Sequence, residues 1–505
     1  MIRRNILANI AGRAWGVASV YVFVPLYLKY LGIEAFGLVG FYSTLLAVLA
    51  FADMGFTATL NREMARLSAG TDSAEEMGDV LRTYEVTYLL ISFTVLGIGW
   101  CLAPSIAGHW LRAERLTHRE IESAIRLMGV AIAFQLPAQL YVGGLMGLQQ
   151  QVRANYLQIG WGVIRGLGAV LVLELFSPTI VTFAFWQAIA NLCYAYGARL
   201  ILWRAVAARP ALSRPHFTWR VFRDTWRYAA GMSGMAVVST ILTQTDKVAV
   251  GKMLPLPMLG YYSLAGAVAS VPLMLALPVA SAVFPRLTAL VETGNRIGLA
   301  KLYHKTCQLV SVATIPAGLT VALFAGDLIL AWTGSALTAQ RAGLATSFLV
   351  GGQLMQAITV VPFYIALAHA DIRLNLRVGI ASVLLITPLL IWLISKYGIL
   401  GGGISWTAMN LCTLPPYMYF LHRRLLPGEL RRWALRDVLR PLTASLPVIL
   451  VARLFLPVPD GRAPALVAIG MVFMVSTAAA ALGIPQWRMK AAEKMGIRFG
   501  VPDGV

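Results

Sequence analysis

The sequence predicts an all-α polytopic membrane protein, on three observations. Hydrophobic residues make up 58% of its 505 residues and charged residues only 13%, against about 25% charged in ordinary soluble domains. Apolar runs recur at lengths near the ~20 residues a helix needs to cross ~30 Å of hydrocarbon. The Lys and Arg residues behind the net charge of +20 gather in alternate connections between those runs, as topology signals do. None of the runs shows the ten-residue alternation of a membrane β-barrel.

In chain order, about fourteen transmembrane helices are expected by the length criterion: residues 6–30, 36–60, 82–106, 124–148, 154–176, 179–203, 228–252, 258–284, 304–325, 342–366, 376–395, 400–421, 439–457 and 464–484. The first run follows Arg3 and Arg4, is too long for a signal peptide and lacks a small-residue exit, so it reads as a retained span. With the N-terminus in the cytoplasm, "NREMAR", "RIGLAKLYHK", "DIRLNLR" and "HRRLLPGELRRWALRDVLR" share its side. Both termini are then cytoplasmic, in a bacterial inner membrane.

The basic connections after the sixth and twelfth runs divide the chain. Residues 1–210 form an expected six-helix lobe, 211–425 a second, and 426–505 two extra helices and a tail. The lobes echo one another: "YLGIEAFGLVGFYS" follows the first run and "MLPLPMLGYYSLAG" the seventh. Internal duplication of this kind is common in secondary transporters, which bind between their repeats.

Several function classes drop out. The positive charge is explained by topology and by anionic lipid, so no nucleic acid is expected. Cys101, Cys193, Cys307 and Cys412 are far apart and show no metal-ligand spacing. There is no phosphate-binding G-x-x-x-x-G-K-[ST] motif for ATP hydrolysis. The external loops are short and carry no acidic cluster suited to a glycosyltransferase or polymerase. The chain is read as a non-enzyme without cofactor or metal.

What remains are polar groups inside the runs, where ionisable residues face a bundle interior or a water-filled cavity. Residues three or four apart share a helix face. Asn9 and Arg13 fall in register on the first run, as do Gln135 and Gln139 on the fourth, Gln187 and Asn191 on the sixth, and Gln244 and Lys247 on the seventh. The fifth carries Gln158 and Arg165. Asp53 and Asp246 are the acids placed to bind an ion in one conformation.

The stretch "PLYLKYLGIEAFGLVGFYSTLLAVLAFADMGF", the following "NREMAR" and the later "QTDKVAVGKMLPLPMLGYY" resemble the polysaccharide (O-antigen) flippases of the multidrug/oligosaccharidyl-lipid/polysaccharide exporter superfamily. The resemblance covers nearly the whole chain, and the six-six-two division agrees with it. It implies two pseudo-symmetric lobes that open alternately, and a polyprenyl-pyrophosphate-linked oligosaccharide moved from the cytoplasmic to the outer leaflet. It also implies that the last two helices hold the lipid tail, that H+ or Na+ drives the cycle, and that polysaccharide polymerases are partners. A lipid II flippase and a cation-coupled multidrug antiporter are alternatives in the same superfamily.

Guanidinium forks match phosphate oxygens as an ammonium does not. Under that resemblance Arg13 and Arg165 are phosphate counter-charges. Asn9, Gln135, Gln139, Gln187, Asn191, Gln244 and Lys247 bind the rest of the cargo, and Asp53 and Asp246 couple the ion.

Overall fold

The computed structural model describes residues 2–53, 55–69, 74–207, 215–370, 372–485 and 487–488. Within these, side chains are described except at 2–11, 13, 14, 17, 51, 52, 69, 74, 224–236 and 372–374. The expected lobe boundary at residue 210 and the tail beyond residue 488 lie outside the described residues. Among those described, helices account for the fold and there is no strand, only an isolated bridge between Arg112 and Pro255.

The protein is a polytopic all-α membrane protein. Ten described helices are long and apolar enough to span a bilayer, from Ala18–Leu49 to Arg462–Leu482. The chain divides into two compact units, Met1–Gly260 and Tyr261–Val505.

The first unit opens with α1 (Ile2–Leu49), broken at Gly32, whose φ of 75° and ψ of 173° no helix accommodates. Glycine lacks the Cβ that makes this backbone costly for other residues. The run expected as one span at 36–60 is interrupted. It ends α1, passes a 3-10 turn at Ala50–Asp53, and resumes as α2 (Phe56–Ala69). The break has a local cause: Gly55 has a φ of 80°, and the Asp53 carboxylate accepts the Thr57 amide at 3.2 Å, as a residue capping a new helix does.

Next come α3 (Ala74–Ser105), α4 (His118–Gly147), α5 (Gln151–Leu175), α6 (Ile180–Ala207) and α7 (Trp219–Met253). Helix α4 starts with a reciprocal Thr117–Glu120 capping box. At its other end a Cβ on Gly147 would stand 2.3 Å from the Asn61 carbonyl oxygen, so only glycine allows α2 so close. The connection before α4 is tied down by Glu34. This buried carboxylate accepts backbone amides from Glu114 at 2.6 Å and Arg115 at 3.0 Å.

Helix α8 (Leu256–Ala269) carries the chain into the second unit, and α9 (Val271–Glu292) follows it after a break at Ser270. The run expected at 258–284 is thus interrupted much as 36–60 is. The second unit continues with α10 (Arg296–Leu323), α11 (Ala325–Thr333), α12 (Ala336–Ala368), α13 (Ile372–Tyr397) and α14 (Ile399–Leu425). Its core gathers Leu287, Tyr303, Val361, Leu421 and Trp433. A short α15 (Leu430–Arg432) runs through a π-helical stretch, Trp433–Leu439, into α16 (Arg440–Phe455), and α17 (Arg462–Leu482) follows.

The last helices are fastened to α10 by a buried polar lock. His304 bonds Asp437 through Nδ1 and Glu429 through Nε2, the latter at 2.8 Å. Gln308 donates to the other Asp437 oxygen at 2.9 Å. Asp437 and His304 have almost no solvent exposure, so each hydrogen bond replaces one that water no longer supplies.

Candidate functional site

The polar groups of the first unit separate into three sets, which differ in how fully they are satisfied. The most central is built on Asn191, midway along α6 and fully buried. Its amide nitrogen donates to the Ala131 carbonyl at 2.8 Å, and to Gln135 Oε1 and the Tyr42 hydroxyl at 3.3 Å each. Its oxygen accepts the indole N–H of Trp161 at 2.9 Å. Asn191 thereby ties α1, α4 and α5 to α6. Gln187 is buried one turn away on the same face.

Trp161 extends this network to a charge. Tyr194 stacks on the indole with ring centroids 4.7 Å apart, and the Arg165 guanidinium lies 4.5 Å from the ring centroid. Arg165 is half-buried, a little past the middle of α5. It makes no ion pair with a carboxylate among the described residues. Glu174, an acid on the same helix, is exposed. Cation–π contact is worth ~0.5–2 kcal/mol and leaves the guanidinium donors open to a ligand. The indole N–H of Trp15, on the neighbouring α1, is buried and has no described acceptor.

The second set is saturated. Glu85 on α3 is 1% exposed. It accepts from Arg82 at 2.7 Å, Tyr141 at 2.8 Å, Trp203 at 3.4 Å and from Arg199. The third surrounds Asp53. One of its oxygens accepts the Thr57 and Tyr88 hydroxyls, which lie 3.0 Å from each other.

The sequence candidates fall across these sets. Gln135, Gln187, Asn191 and Arg165 share the central region. Gln139 is exposed, since four residues along a helix rotate the face by about 40°. Lys247 donates to Gln244 at 3.2 Å on α7, and the Asp246 carboxylate accepts the Lys247 amide at 2.8 Å. Asn9 and Arg13 lie on α1, but their side chains are outside the described residues.

Trp161, Tyr42 and the Glu85–Arg199 pair were not singled out from the sequence. Aromatic residues in an apolar run read as core, and a pair 114 positions apart has no local spacing. The one available signal was an acid and a cation at similar depth in different runs.

In the second unit the site-like feature is apolar. A groove of about 710 Å³ runs between α16 and α17, lined by Phe324, Val451, Leu456, Met471 and Val475 among others. Leu454 and Phe455 beside it are about three-quarters exposed.

The family model described as "Polysaccharide biosynthesis protein" matches residues 2–291. A Shigella flexneri protein named "Putative O-antigen transporter" is 22% identical over 413 residues, covering 80% of this chain and 94% of its own. Two solved structures share the fold. A lipid II flippase, MurJ, in an inward closed conformation has a TM-score of 0.72 at 14% identity, covering 97% of this chain and 99% of its own. An inward-facing multidrug resistance transporter of the MATE family in the MOP superfamily has a TM-score of 0.67 at 14% identity, covering 84% and 96%.

Proposed function

The chain belongs to the polysaccharide biosynthesis protein family, and from that premise we propose that it is a flippase for a polyprenyl-pyrophosphate-linked oligosaccharide. It is a membrane transporter with the fold of the MOP superfamily, not an enzyme. The cargo moves from the cytoplasmic to the outer leaflet for O-antigen or exopolysaccharide export.

The observation that carries this reading is Arg165. A half-buried guanidinium without a carboxylate partner among the described residues, beside a buried amide network, suits a diphosphate followed by sugars. Charge-assisted bonds answer the phosphate oxygens, and Gln135, Gln187 and the surrounding hydroxyls answer the sugar. Arg13 joins Arg165 as a second counter-charge, while Asn9, Gln139, Gln244 and Lys247 contact other parts of the cargo. The apolar α16/α17 groove suits the polyprenyl chain, since its lining matches the hydrocarbon that the chain leaves. The name of the Shigella relative supports the same class of cargo.

Residues 1–210 and 211–425 act as two pseudo-symmetric lobes, with 426–505 as the extension. Both termini are cytoplasmic, in the inner membrane. Asp53 or Asp246 couples H+ or Na+ to the cycle, and a polymerase receives the cargo outside. A multidrug antiporter would want open carboxylates, whereas Glu85, the buried acid of the first unit's second polar set, is already supplied with donors.

Deletion of the gene is expected to strand lipid-linked oligosaccharide on the cytoplasmic leaflet. Normal glycan export in the deletion strain, with retained drug instead, would refute the proposal in favour of antiport.

A further inference from the structure

A groove of about 800 Å³ between α5 and α6 is separate from the α16/α17 groove, and no step of the proposed transport uses it. One end carries Arg153 and Arg204, both exposed. Arg153 bonds only the neutral Gln150, at 3.1 Å, and no acid lines the groove among the described residues. Beyond the arginines its walls are Leu157, Trp161, Ile164, Tyr194 and Ile201, with Gly160 open to it.

The dimensions match one lipid. From Arg153 to Ile164 the helix rises about 16 Å, close to half of the ~30 Å hydrocarbon core. The arginines therefore stand at the boundary where a phosphate sits, and the apolar walls extend as deep as one acyl chain. Basic pockets between transmembrane helices bind anionic headgroups for the same electrostatic reason. We propose that the α5/α6 groove is a binding site for an anionic glycerophospholipid, its phosphate on Arg153 and Arg204 and an acyl chain against Trp161. Because Trp161 also carries Arg165, a lipid seated there braces the central network from outside.

Cys193 is exposed and lines the groove, so it reports occupancy; Cys412, exposed in the second unit, is the reference. The full-length protein, delipidated in non-ionic detergent, is alkylated with a hydrophobic maleimide, and both cysteines are followed by peptide mass mapping. Dioleoyl-phosphatidylglycerol is expected to slow Cys193 at least threefold relative to Cys412, and dioleoyl-phosphatidylcholine is not. Arg153→Gln with Arg204→Gln should abolish the protection. Gly160→Phe should also abolish it by filling the groove while both arginines remain, and it decides the matter if the double variant fails to fold.

Equal protection by phosphatidylcholine would overturn the proposal, as would protection that survives in Gly160→Phe. Protection by glycerol 3-phosphate alone would make this a free-phosphate site and overturn the lipid assignment. Protection by a polyprenyl phosphate at concentrations far below those needed for phosphatidylglycerol would give the groove to the cargo instead.

Discussion

Arg199 and Arg165 lie on adjacent helices of the same unit, yet their surroundings differ sharply. Arg199 meets Glu85, a carboxylate that also takes Tyr141, Arg82 and Trp203. Arg165 meets the face of Trp161 and, among the described residues, no carboxylate. A cation paired with a buried carboxylate has its charge answered within the protein, and its removal leaves that carboxylate with one partner fewer. A charge held only by a π-face is positioned but not consumed. The first arrangement holds α3, α4 and α6 together; the second keeps a cation available inside the membrane.

The largest expected effect lies on the saturated side. Arg199→Met leaves Glu85 in a site that is 1% exposed, with its nearest guanidinium gone. Arg82 still pairs with Glu85 at 2.7 Å and Arg199 is about two-fifths exposed. The loss is therefore that of a charge-assisted hydrogen bond, about 1.5–3 kcal/mol, and the variant should fall in membrane abundance and in thermal unfolding temperature. Replacing Glu85 and Arg199 together by Leu and Met should recover part of that loss, because neither charge is then stranded. A single variant with wild-type stability would erase the distinction between the two arginines.

Arg165→Ala should give the opposite pattern, with normal abundance and weak transport. Losing charge-assisted hydrogen bonds worth ~1.5–3 kcal/mol predicts roughly 10- to 150-fold weaker cargo binding. Arg165→Lys keeps the charge without the fork and should lie between wild type and Ala. The measurement is export of lipid-linked oligosaccharide, normalised to membrane protein level. If Arg165→Ala is exported normally, the open guanidinium is not a cargo contact; if it disappears from the membrane, the residue is structural after all.

The two regions were unequally legible in the sequence. Periodicity put Gln187 and Asn191 on one face of α6, and intramembrane charge singled out Arg165. The Glu85 cluster was invisible because its members sit on three helices, and only the fold brings them together. Trp161 was hidden for another reason. An indole in an apolar run is indistinguishable from packing until its N–H finds Asn191 and its face finds Arg165. The helical class follows from hydrophobicity alone; against the fourteen spans expected, ten described helices are long and apolar enough to cross a membrane. The breaks at Gly55 and Ser270 do not, because an apolar run can continue across a change of backbone direction.

Trp161 allows the finest test, since it joins the buried amide network to the open charge. Trp161→Phe keeps an aromatic face for Arg165 but removes the N–H that Asn191 accepts at 2.9 Å. A neutral hydrogen bond contributes about 0.5–1.5 kcal/mol, so transport should fall only about two- to tenfold. Trp161→Leu removes the face as well, and the guanidinium loses what orients it. Its export should be lower than that of Trp161→Phe, while abundance stays near wild type in both. In an Arg165→Ala background the Phe and Leu variants should differ little, because the face then has no charge to hold. Equal losses in Phe and Leu when Arg165 is present would mean that the ring acts only through its N–H. The cation–π contact would then have no part in keeping Arg165 ready for an anion.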